Sequence, residues 1–95
     1  INCIAMASHE QCEQYPRQAE QVNSIYPGLW AEAAMSAGSV FVQISTDAVF
    51  DGASPNLYKE TDQPSPISIY GKTKLAGEQS TLLVNKDSLV VRTNF

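Results

Sequence analysis

The stretch Ser39-Val40-Phe41-Val42-Gln43-Ile44-Ser45 is short, β-rich and apolar on both parities. That is the pattern of a parallel strand covered on both faces. Ile1-Asn2-Cys3-Ile4-Ala5 reads as the last part of an earlier buried strand, with Cys3 as a small hydrophobe in it. Leu89-Val90-Val91-Arg92-Thr93-Asn94-Phe95 reads as a later strand. Met6 to Tyr15 is polar and suits a loop. From Ala19 the residues Val22, Tyr26, Trp30, Ala33, Ala34 and Ala37 recur at amphipathic helix spacing, with Tyr26 and Trp30 as core and Gly38 at the C′ stop. Pro27 removes a backbone donor, which predicts a kink near Asn23 to Gly28 rather than two separate helices. After Thr46-Asp47, the turn residues Asp51-Gly52, Pro55-Asn56, Pro64 and Pro66 predict a long loop. A helix capped by Ser68 follows, burying Leu75, Ala76, Leu82 and Leu83 before the Asn85-Lys86-Asp87 turn. The βαβαβ alternation implies an α/β fold, part of a doubly wound parallel sheet with helices on both faces.

Within that frame Tyr70 and Lys74 stand one helical turn apart on one face, whereas Lys72 lies roughly 200° away from Tyr70. A held ammonium favours the phenolate, so the pair suits proton transfer near neutral pH. Taken alone, a solvated helix on which Lys74 pairs with Glu78 is the plainer reading. Thr46 changes the balance, because it stands at the carboxyl end of a strand, where open α/β sheets gather their ligands. A strand-end threonine is commonly a turn cap, but hydroxyl, phenol and ammonium together make a proton-donating site with a second donor.

Composition removes other chemistries. The formal charge is −4 and no basic cluster occurs, which argues against nucleic acid or an anionic membrane as partner. No transmembrane or secretion segment can be drawn. With His9 the only histidine, serine- or cysteine-type triads and most zinc sites lack a base or ligand set, and His9 reads as a solvated loop residue. Cys3 and Cys12 are spaced for neither zinc nor a redox pair, so two free thiols in a reducing, cytoplasmic compartment are expected. Glu60 and Asp62 flank prolines with nothing to fix a glycosidase separation. Arg92 reads as the partner of an acidic neighbour.

The run from Ile44 to Gly52, then Tyr58-Lys59-Glu60-Thr61-Asp62, then Pro66 to Glu78 with Tyr70-Gly71-Lys72-Thr73-Lys74, then Val91-Arg92-Thr93, resembles the extended short-chain dehydrogenases/reductases. Within them it is most similar to the dTDP-4-dehydrorhamnose reductase branch, over essentially the whole chain. The resemblance implies NADPH- or NADH-dependent reduction of the 4-keto group of a dTDP-4-dehydro-6-deoxy sugar. It implies Tyr70 as proton donor, Lys74 as its activator and ribose ligand, and Thr46 and Asp47 against the sugar. Ile4, Ala5 and Met6 would lie beside the cofactor. Phe95 falls where the branch carries a substrate-contacting tryptophan, and Ala48 where it carries an aromatic, which leaves the sugar open. The branch also uses Mg²⁺, for which no ligand can be assigned, and is compatible with a homodimer.

Two other readings stay beside the reductase. One is a non-catalytic cofactor-binding regulator, like the regulatory subunit of methionine adenosyltransferase in the same branch. The other is a structural fragment. Residues 1–95 read as the central part of one NAD(P)-binding domain, without the glycine-rich turn or the carboxyl-terminal substrate lobe. Alone, the segment is expected to be inactive.

Overall fold

The computed structural model describes residues 1–54 and 57–94, so the turn expected at Pro55-Asn56 and the substrate contact expected at Phe95 lie outside the described residues. The order is α1 (His9–Gln14), α2 (Pro16–Glu20), a π-turn (Gln21–Ile25), α3 (Tyr26–Ser36), β1 (Val42–Thr46), a 3-10 turn (Asp47–Val49), α4 (Ile69–Val84) and β2 (Leu89–Thr93). β1 and β2 are parallel, in register from Val42↔Leu89 to Thr46↔Thr93. This is the expected α/β architecture.

The first strand is reduced to one parallel bridge, Asn2↔Gln43. It still flanks β1, through Asn2 N–H to the Val42 carbonyl at 2.8 Å and Ile44 N–H to the Asn2 carbonyl at 3.1 Å. The side chains of Asn2 and Gln43 turn inward and bond to each other at 2.8 Å. Successive strand residues point to opposite sides, so Cys3 turns outward and is exposed, not buried as expected.

β1 begins three residues later than the sequence suggests. Ser39 belongs to the exit from α3, where Gly38 takes φ +69°. Gly38 N–H reaches the Met35 carbonyl at 3.1 Å and Ser39 N–H the Ala34 carbonyl at 2.9 Å. These two bonds are the Schellman stop. Upstream, the expected loop over residues 6–15 is partly helical: Ser8 accepts from Gln11 N–H and caps α1.

The kink falls where expected, but as a widening. Tyr26 N–H bonds to the Gln21 carbonyl, five residues back, and α2 runs into α3 without a break. Pro27 cannot donate to the carbonyl of Asn23, which favours this extra-residue turn. The shift changes which face is buried. Ala19, Asn23, Ser24, Pro27, Gly28 and Ala31 are inside, while Tyr26 and Trp30, expected in the core, are exposed, Trp30 by 52%.

α4 corrects the sequence reading in the same way. Its buried face is Tyr70, Gly71, Thr73, Lys74, Gly77, Glu78 and Thr81. Leu82 is exposed and Leu83 is 86% exposed; Leu75 and Ala76 are half-buried. The cause is backbone proximity. A Cβ on Gly77 would stand 2.0 Å from the Asn23 carbonyl oxygen, and one on Gly71 would stand 2.2 Å from that of Ala48. Helices that approach so closely leave room for small and polar side chains, and the leucines face away. The best-buried larger side chains are accordingly Gln43, Val49, Asn23 and Thr81 rather than a set of leucines and phenylalanines.

The loop after β1 is tied by its own acid. Asp51 accepts from Ala53 N–H at 2.9 Å, Tyr58 Oη–H at 2.9 Å and Ser65 Oγ–H at 3.1 Å. These bonds hold the Asp51 carboxyl below its usual range, the Ala53 amide contributing most. Among the described residues no helix is long and apolar enough to cross a membrane.

Candidate active site

The helix that carries Tyr70 is fixed at its start from two directions. Ser68 Oγ accepts from Gly71 N–H at 3.0 Å, the N-cap read from the sequence. Glu13 of α1 accepts from Ile69 N–H at 2.9 Å, placing a carboxylate at the helix N-terminus, where it is favoured. Tyr70 is 6% exposed and Lys74, one turn on, 4%.

Lys74 Nζ donates to the Ile44 carbonyl at 2.8 Å. Burial holds the ammonium below the usual lysine range, while Glu78 and Cys3 push it back up. The plainer sequence reading, Lys74 paired with Glu78, does not hold. Glu78 instead pairs with Arg92, whose Nη2 lies 2.8 Å from Oε1. An ammonium has three donors. One is used, so among the described residues two remain for a ligand.

Two clefts meet at Tyr70. One is lined by Cys3, Ala5, Ala7, Ile44, Tyr70, Lys74 and Thr93. The other is lined by Ala7, His9, Thr46, Asp47, Ala48, Tyr70 and Asn94. The structure therefore brings Tyr70, Lys74 and Ala5 to one side of the phenol and Thr46 and Asp47 to the other. Thr46, at the last position of β1, also does the plainer job, accepting from Ala48 N–H at 3.1 Å. Its hydroxyl lies 3.5 Å from Asp47 Oδ1. Ile4 departs from this cluster, because its side chain lines a separate groove with Trp30 and Ala34.

Met6 is held by a residue that sequence reasoning passed over. Asn23 Oδ1 accepts from Met6 N–H at 2.8 Å, and its Nδ2 donates to the Met6 carbonyl at 3.0 Å and to Thr73 Oγ1 at 3.1 Å. Thr73 in turn donates to the Tyr70 carbonyl at 3.0 Å. One amide thus joins the strand-end turn to the Tyr70 helix. Its trace in the sequence is an asparagine in mid-helix, where its propensity is poor, four residues before a proline. His9 is also more than a loop residue. It opens α1 and packs edge-on against the Tyr70 ring, centroids 4.7 Å apart at 61°. Cys12, buried and desolvated, has its thiol pushed up and donates to the Met6 carbonyl at 3.2 Å.

Among the described residues no group of three or more His, Cys, Asp or Glu side chains could hold a metal ion, and none is assigned as a ligand to the Mg²⁺ that the resemblance raised. The nicotinamide cofactor is different, since the spare Lys74 donors facing the cleft suit sugar hydroxyls.

Comparison with known proteins agrees with this fold. The RmlD substrate binding domain family matches residues 1–95. The dTDP-4-dehydrorhamnose reductase of Mycolicibacterium smegmatis is 40% identical over 94 residues, which are 98% of this chain and 29% of that protein. Methionine adenosyltransferase 2 subunit beta of Bos taurus is 39% identical over 92 residues, 97% of this chain and 27% of that protein. The crystal structure of dTDP-4-dehydrorhamnose reductase from Bacillus anthracis in complex with NADP superposes with a TM-score of 0.92 at 38% identity, over 97% of this chain and 33% of that one. The chain thus spans between 27% and 33% of the length of these proteins. With a match over its whole length, the chain belongs to the RmlD substrate binding domain family.

Proposed function

We propose that residues 1–95 are the central part of an NAD(P)-binding domain, and that the complete protein reduces the 4-keto group of a dTDP-4-dehydro-6-deoxy sugar. The observation that carries this is Tyr70 at the junction of two clefts, with a buried lysine one turn away that, among the described residues, is tied to a carbonyl and forms no salt bridge. Tyr70 Oη holds the proton given to the carbonyl oxygen, and Lys74 favours the phenolate left behind. Thr46 donates to the same oxygen, and Asp47 touches the sugar. Lys74 would hold the nicotinamide ribose, and Ile4, Ala5 and Met6 would lie beside the cofactor. When bound, the nicotinamide supplies the hydride.

The 39% identity to methionine adenosyltransferase 2 subunit beta favours a second reading, a cofactor-binding subunit without turnover. Following NADPH absorbance with a 4-keto dTDP-sugar and the complete protein separates the two. Consumption of NADPH with formation of the 4-hydroxy sugar is expected. Tight NADPH binding without consumption would replace the reductase reading by the second.

A further inference from the structure

Glu78 is a buried acid that the proton-transfer scheme does not use. It is 5% exposed, and its carboxylate accepts from Ser45 Oγ at 2.5 Å, Arg92 Nε at 3.0 Å and Arg92 Nη2 at 2.8 Å. Three elements meet on this one group: Glu78 from α4, Ser45 from β1 and Arg92 from β2. Each neighbours the site. Ser45 precedes Thr46, the Ile44 carbonyl before it receives Lys74, and Glu78 lies one turn beyond Lys74. The Arg92 guanidinium also lies over the Phe50 ring at 5.2 Å, and Phe50 stacks on Tyr58 at 4.3 Å and 5°. The same arginine therefore reaches the loop knotted on Asp51.

A buried ion pair is a poor source of stability, since apolar residues of similar volume serve as well or better. What the two-pronged arginine contact supplies is a fixed distance and angle between the elements it joins. We propose that Glu78 and Arg92 are positioning residues, clamping α4 to the ends of β1 and β2 so that Tyr70 and Lys74 are held at a set distance from Thr46. The inference rests on the reductase reading.

The test uses the complete protein with the double substitution Glu78→Met and Arg92→Met, alongside Arg92→Lys, which keeps the charge and loses the fork. The double variant leaves the buried Ser45 hydroxyl without its acceptor, so it is expected to stay folded with a somewhat lowered melting temperature. Its kcat should fall roughly 10- to 100-fold, the cost of sub-ångström to ångström misplacement, with KM for NADPH within about twofold. Arg92→Lys should also fold and lose kcat. A folded double variant with wild-type kcat overturns the proposal. If the double variant does not fold, Arg92→Lys decides in the same way, and failure of both to fold makes the pair purely structural and also overturns it. A wild-type protein without turnover removes the reductase reading and this inference together, whereas the other negative outcomes remove only the inference.

Discussion

Lys74 is tied to a carbonyl, so its charge is oriented without being cancelled. Substituting Tyr70→Phe in the complete protein should lower kcat by roughly 10² to 10⁴ and leave NADPH affinity within a few-fold, as read by steady-state kinetics and calorimetric titration. Lys74→Met should weaken the cofactor complex, as read by calorimetric titration with NADPH, because the ammonium that suits the ribose hydroxyls is removed. A stability effect accompanies it. With its folded value lowered by burial, Lys74 binds fewer protons folded than unfolded between that value and the ordinary lysine value. Unfolding free energy therefore rises with pH across that window, and denaturant titrations of Lys74→Met should lack the rise. The Tyr70–Lys74 pair was legible in the sequence because four-residue spacing is a property of the helix itself. The partner of Glu78 was not, since Arg92 stands fourteen residues away on another element and only the sheet brings them together.

Among the elements, α4 is docked by what it lacks. Gly77→Ala would push a methyl into the Asn23 carbonyl, and neither side of that contact is a movable side chain. Overpacking of this kind costs about 1–3 kcal/mol, and a thermal melt of the variant should fall at the upper end of that range. Asn23→Ala would leave the Met6 amide without its acceptor, while Cys12 still donates to the Met6 carbonyl, a loss of about 1–3 kcal/mol measurable by denaturant titration. From Ala19 onward element type and order could be read from the sequence, as could the Ser68 cap, the Gly38 stop and the site of the kink, but α1 lies where a loop was expected. The buried faces could not. Periodicity assumes that apolar side chains fill the contact, whereas here glycines bring backbones together and the inside of α4 is polar. The reading of Tyr26 and Trp30 as core failed for a related reason, because a π-turn rotates every later residue relative to an ideal helix.

For the molecule as a whole, Ile1, Ile4, Leu29, Trp30, Val40, Leu83 and Leu89 are exposed in this segment. Apolar surface of that extent normally meets another surface. Expressed by itself, the 95-residue segment should self-associate, giving a sedimentation coefficient that rises with concentration and no NADPH titration signal. A concentration-independent monomer would show that these side chains need no cover. The stretch Gln21–Ile25 has a different kind of consequence, one that concerns deletion rather than substitution. A π-turn holds one residue more than an α-turn. Removing one residue there other than Asn23 would close the turn to an α-helical one and leave the helix on both sides in nearly its present orientation. In this part of the chain, then, length can vary by one residue without re-aiming the flanking helices, and homologous sequences are expected to place a single-residue gap here.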